Sequence, residues 1–341
     1  VFAIVWVSFL VYEGLRYRRE ILLGRIAIAY CGLYIAIGLY SASRFLMTGV
    51  DGYINGFFLL LSKTMLMYFV GIVSFTAIEN SISNNSIRHV LIFYSICAGI
   101  YAIWALLTYF PGLNAWMTNM EYLFASKNSL GQICGVGAVA LFCLSFEEKN
   151  KWCRIVELLG GGLLWLVTLL FQCRTATLGV ALATLVLMFL KRKKAMLLVV
   201  LLVAAICISL LPPAQSILSH ALLLDKASAG ADLSSGRIGF WADSLIAIKG
   251  NELFGLGDYY VDNMYINLLV NVGAVGAIAP LAIWISRLVI NFRRSVDSHI
   301  RASISCQKWL LDLETALSVF YIVESFLEGN PPFGPGACSF M

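Results

Sequence analysis

The stretch FQCRTATLGVALATLVLMFLKRKKAMLLVVLLVAAICISLL, residues 171–211, decides the fold. Its two apolar runs, 174–190 and 195–211, each approach the roughly 20 residues that a helix needs to cross the hydrocarbon of a bilayer. Between them stand four consecutive cations, Lys191, Arg192, Lys193 and Lys194. Two apolar runs joined by a basic tetrad read as two membrane crossings with a cytoplasmic loop between them.

Outward from this pair, further apolar runs fall at about 25–43, 53–78, 89–110, 128–146, 155–171, 263–290 and 306–324. The composition agrees, with 60% AVILMFWYC and 13% charged residues in 341, against about 45–50% and about 25% in soluble domains. That excludes a soluble protein. Roughly 205 apolar residues at roughly 20 per crossing give about ten spans, which also excludes a single-span receptor. The expectation is an all-α, polytopic transmembrane helical bundle, one integral-membrane domain over 1–341. Because the chain opens at Val1 inside the short apolar run 1–11, one more helix is expected upstream.

The cations sort by loop. Arg16, Arg18, Arg19, Arg25, Arg88, Lys149, Lys151, Arg154, the tetrad 191–194, Arg287, Arg293, Arg294, Arg301 and Lys308 make 17 of the 24 and lie on alternate loops, which are therefore cytoplasmic. The net charge of +5 reports topology rather than nucleic-acid binding. Nine cysteines form no C-x-x-C pair and fall mainly in apolar runs, so neither a metal knuckle nor a disulfide framework is indicated. No fixed-period repeat and no inverted pair of interrupted helices is visible, which counts against many secondary transporters.

The tetrad at 191–194 and the cations at 287–308 place residues 212–262 outside, as a long extracytoplasmic loop. It opens with Pro212 and Pro213, continues through an amphipathic stretch (Ile217, Leu218, Ala221, Leu222) and contains LSSGRIGFWADSLIAIKG. Ser234 or Ser235 can cap a short helix there, whose Ile238, Phe240, Trp241, Leu245 and Ile248 lie against the membrane surface or the bundle. A loop of this length is usually functional.

Arg174, in FQCRTATLG, follows a tight outer turn and opens the next span. Exposed N–H groups, the positive end of the helix dipole and a bidentate guanidinium make a phosphate site there without metal; the alternative is an interfacial arginine reaching lipid headgroups. Arg237 stands likewise in the first turn of the loop helix, and the two together match a pyrophosphate. Lys63, about ten residues into the run 53–78, either faces a polar cavity or snorkels. The acids on the same side are Asp258, Asp262, Glu324 and Glu328. Asp262 can act as a general base toward a hydroxyl while Asn263 and Tyr265 hold sugar hydroxyls, or one of Asp262 and Asn263 simply caps the helix beginning at Met264. Glu324 and Glu328 share a helix face and either bind substrate or mark the end of the last span. Asn128 either caps the helix that carries Gly131 or joins the substrate-binding candidates. Gly131 with Gly135, Gly160 to Gly162, and Gly273 with Gly276 are expected to serve close helix packing. There is no D-x-D pair, P-loop or G-x-S-x-G, and His89, His220 and His299 are scattered. Metal-assisted and nucleotide-driven chemistry is therefore disfavoured, and no cofactor is expected.

Five stretches in order, FASKNSLGQICG, CRTATLG, SSGRIGFW, the block from NELFGLG to VDNMYINLLVNVGAVG, and an acidic end to the last helix, resemble the O-antigen ligase and polymerase superfamily, the Wzy-type integral-membrane glycosyltransferases. The resemblance covers about 124–290. It implies a metal-independent, inverting transfer of a glycan from an undecaprenyl pyrophosphate carrier to an acceptor hydroxyl, in the bacterial inner membrane with the active site facing the extracytoplasmic side. Arg174 and Arg237 would be the paired cations on the pyrophosphate. Ligases of the family carry His-Asn where this chain has Asp262-Asn263, so the resemblance favours a polymerase of O-antigen, capsule or exopolysaccharide over a ligase with a lipid acceptor. The implied partners are the undecaprenyl pyrophosphate-linked oligosaccharide, the acceptor glycan, membrane lipids and a chain-length regulator. A polysaccharide or lipid transporter is the rival class.

Overall fold

The computed structural model describes residues 84–109, 127–171, 173–191, 236–256, 259, 261–296 and 308–326, with the isolated positions 39, 43, 46, 47 and 49. The runs 53–78 and 195–211, the loop segment 212–235, and Lys63, Asp258 and Glu328 lie outside the described residues. Among these residues there are seven helices and no strand: α1 (Asn84–Tyr109), α2 (Lys127–Glu147), α3 (Lys151–Leu170), α4 (Arg174–Leu190), α5 (Arg237–Ala247), α6 (Met264–Val296) and α7 (Lys308–Ser325). The apolar runs expected at 89–110, 128–146, 155–171, 174–190, 263–290 and 306–324 coincide with α1, α2, α3, α4, α6 and α7. Three stretches, Ile87–Thr108, Asn128–Glu147 and Lys151–Leu170, are long and apolar enough to cross a membrane, and α4 is a shorter apolar helix.

The chain divides into two compact units, one formed by 1–87, 239–285 and 328–341 and the other by 88–238 and 286–327. In the second unit α2 is the central helix, packed by α3, α4 and α7. A helix apolar on every side belongs inside, and Cys134, Val136, Ala138, Val139, Ala140 and Cys143 of α2 are all fully buried. Its small residues let the neighbours approach. The ring of Phe320, from α7, fills the space that a Cβ would occupy at Gly135 of α2 and at Gly179 of α4. By contrast α1 exposes Phe93, Ile96, Ile100, Ile103 and Leu107, and α3 exposes Val156, Leu159, Leu163, Leu166 and Leu170. Such unpartnered apolar stripes on apolar helices suit contact with lipid.

Among the described residues, three of the cations expected on the cytoplasmic side, Arg88, Arg154 and Lys191, engage the acids around the α2–α3 turn. Arg88 pairs with Glu148 and, at 2.6 Å, with Glu157. The Arg154 guanidinium donates to the Glu148 carbonyl at 2.7 Å, and Asn150 caps α3 by accepting from the Trp152 N–H at 3.0 Å. Lys191 pairs with Glu147 and, at 2.7 Å, with the buried Asp312. Burial opposes the Lys191 charge, but Asp312 and Glu147 outweigh it and hold the ammonium above the usual lysine range.

The described core of the first unit is α5, the loop 251–256 and the start of α6. Gly273 was expected to serve helix packing; instead it breaks α6, with φ 66° and ψ −178°. A break leaves helical carbonyls and N–H groups without partners, and the loop supplies them. Leu256 N–H donates to Val270 O at 2.7 Å, while Ala274 and Val275 N–H donate to Glu252 O at 2.8 Å and Leu253 O at 3.2 Å. A Cβ on Gly273 would collide with the Leu253 backbone, and one on Gly255 with the Asn271 backbone. Only glycine fits both the positive φ and the close approach.

Candidate functional site

The turn between α3 and α4 carries Arg174. Phe171 N–H donates to Val167 O and Cys173 N–H to Thr168 O, each at 3.0 Å, and Thr177 N–H closes the first turn of α4 on Cys173 O at 2.9 Å. Side chains brace the same turn: Thr168 and Thr177 share a hydroxyl–hydroxyl bond of 3.0 Å, and Trp165 Nε1–H donates to Thr177 O at 3.1 Å. Phe171 and Cys173 are buried, anchoring the turn in the protein. Arg174 is therefore held at the first position of α4, after an N-cap, Cys173, that makes no side-chain capping bond. The charge of Arg237, at the first position of α5, acts on Arg174, so the two guanidinium groups lie within electrostatic range of one another.

Two further candidates belong to the same end of this unit. The space for a Cβ at Gly131 of α2 is taken by the Cys173 side chain, which brings the first turn of α2, with Asn128, against the turn that presents Arg174. One residue on, Gln132 donates its side-chain amide to Glu324 Oε2 at 3.0 Å. Glu324 is fully buried and is the penultimate residue of α7.

In the other unit Asp262 Oδ1 accepts a bond from Trp241 Nε1–H at 2.9 Å. The cap of α6 is Asn263, whose Oδ1 accepts from the N–H groups of Tyr265 at 3.0 Å and Ile266 at 3.1 Å. The segment before it is pinned by two asparagines four residues apart. Asn271 accepts from Tyr259 N–H at 2.8 Å and donates to Tyr259 O at 2.5 Å, and Asn267 accepts from Val261 N–H at 3.0 Å. Each amide supplies a partner to backbone groups, at Tyr259 and Val261, that lie outside any helix. Tyr265 is half-buried in the first turn of α6.

Gln132, Trp241, Asn267 and Asn271 were not among the candidates read from the sequence. The signal for three of them was present, since a lone amide inside an apolar run has to find a partner; nothing local marked Trp241. Among the described residues no group of three or more His, Cys, Asp or Glu side chains is placed to hold a metal ion. No protein-family model matches the chain, and comparison with curated proteins returns no match.

Proposed function

We propose that this membrane protein is a polymerase of surface polysaccharide, moving a glycan from an undecaprenyl pyrophosphate carrier to the hydroxyl of an acceptor repeat unit at the extracytoplasmic face of a bacterial inner membrane. The observation that carries the reading is the Arg174–Arg237 pair. Each guanidinium opens a helix, where exposed N–H groups and the positive end of the helix dipole favour an anion. A diphosphate supplies that anion and accepts bidentate hydrogen bonds.

In the proposed reaction the acceptor oxygen forms a bond to the anomeric carbon from the side opposite the leaving group. The bond from that carbon to the diphosphate oxygen breaks with its electron pair, and the configuration inverts. Arg174 and Arg237 stabilise the charge that collects on the leaving diphosphate, the kind of electrostatic contribution that is often the largest in catalysis. Asp262 takes the acceptor proton, its carboxylate oriented by Trp241. Asn263 fixes the helix turn that carries Tyr265 for the sugar hydroxyls, while Asn128, Glu324 and Lys63 complete substrate binding. A ligase differs only in its acceptor.

The test is incubation of the purified intact protein in lipid with a lipid pyrophosphate-linked repeat unit. A ladder of products supports a polymerase, a single transfer to a lipid acceptor supports a ligase, and no transfer to either acceptor rejects glycan transfer.

A further inference from the structure

Helix α5 has two apolar sides. Trp241, Ser244 and Ile248 recur at helical spacing on one side, with Ser244 and Ile248 buried and Trp241 bonded to Asp262. At about 100° per residue, Ile238, Ala242, Leu245 and Ile246 share a different arc, and there Ile238 is 65%, Leu245 42% and Ile246 59% exposed. The exposed Asp243 falls off that arc. Arg237 opens the helix and the exposed Lys249 follows it, so a cation stands at each end of the apolar stripe.

An apolar stripe that is about one-third of the helix circumference wide and has a cation at each end has the form of an interfacial helix.

We infer that the Ile238, Ala242, Leu245 and Ile246 face of α5 rests in the headgroup–acyl boundary of the phospholipid bilayer, with Lys249 on lipid phosphates, while its Trp241, Ser244 and Ile248 face holds the protein. The inference goes beyond glycan transfer and does not depend on it: α5 becomes a membrane-seated lever that carries Arg237 at one end and, one turn on, Trp241, the partner of Asp262.

The test uses the intact protein in vesicles of phosphatidylethanolamine and phosphatidylglycerol doped with a lipid bearing a diazirine near the glycerol end of one acyl chain. After illumination, mass spectrometry should find lipid adducts on the peptide covering 238–249, as it does on α1 at Ile96 and Ile100. Adducts on α1 with none on 238–249 would overturn the inference. A second measurement places a polarity-sensitive label at Leu245→Cys, and separately at Asp243→Cys, in a background without reactive native thiols. Brominated lipid should quench the label at 245 at least threefold more than aqueous iodide does, with the order reversed at 243. Iodide quenching at 245, or quenching there by neither agent because protein covers the face, would also overturn it.

Discussion

The Trp241 indole N–H donates to Asp262 Oδ1 across 2.9 Å, so this carboxylate is oriented by α5, and the capping of α6 falls to the adjacent Asn263. That separation makes Asp262 open to a clean test. Asp262→Asn retains an acceptor for Trp241 and leaves the cap untouched, so thermal unfolding should match the parent. Glycan transfer should fall by roughly 10²–10⁴, the usual worth of a positioned general base. Asn263→Ala should show the opposite pattern, with a stability loss of roughly 0.5–2 kcal/mol from the missing cap. Parent-like turnover in Asp262→Asn would eliminate proton removal by this residue.

In the proposed reaction Arg174 and Arg237 act on the leaving group. Lysine retains the charge but not the planar fork, so Arg174→Lys and Arg237→Lys should each lower transfer by more than tenfold while expression and thermal unfolding change little. Because the two are proposed to hold one diphosphate, the double variant should lose less than the product of the single losses. Unchanged product formation in both Arg237→Lys and Arg237→Ala would remove the loop arginine from the site.

What the sequence made legible follows the range of the interactions involved. The bounds of α4 could be read because a basic tetrad ends it and a short turn begins it, both local signals. The choice between Asp262 and Asn263 as cap could not, since both side chains accept from a helix start equally well; the indole of Trp241, 21 residues away, engages one of them and leaves the other to the cap. Gln132 and Glu324 are 192 residues apart, so their bond depends on which helices neighbour α2, and apolar periodicity does not say. Gly273 looked like a packing glycine because a positive φ inside an apolar run has no sequence mark until the docking loop 251–256 is seen.

At the other end of the second unit, Glu148 lies below the ordinary carboxylate range because it accepts the Asn150 backbone N–H and, next, the Arg88 side chain. A depressed folded value stabilises the protein above the unfolded value, about 4.3 for glutamate, and that contribution is lost as pH falls through the folded value. Glu148→Gln should therefore unfold at a lower temperature than the parent at pH 7. The gap should persist at pH 5, begin to narrow below about 4.3 and close as pH falls through the lower folded value, beneath which both side chains are neutral. A gap that stayed constant down to pH 3 would mean that the carboxylate charge is not what the turn uses.

Three glycines separate packing from function. A Cβ at Gly135 would stand 2.6 Å from the Phe320 ring, one at Gly131 would stand 2.7 Å from Cys173 Sγ, and one at Gly162 meets nothing within 4 Å. Gly162→Ala should be neutral or stabilising by about 0.5–1 kcal/mol, the intrinsic helix preference for alanine. Gly135→Ala forces a ring aside in a filled core and should cost about 1–3 kcal/mol. Phe320→Leu should partly rescue it, because the smaller side chain returns the space. Gly131→Ala pushes instead on the turn that sets Arg174 at the head of α4. A displacement of one ångström there is enough to lower turnover about 10²-fold, so its loss of glycan transfer should exceed that of Gly135→Ala at equal loss of thermal stability. If the two variants lost activity only in proportion to stability, the seating of the 171–173 turn against Gly131 would be a packing contact alone, and the placement of Arg174 would not depend on it.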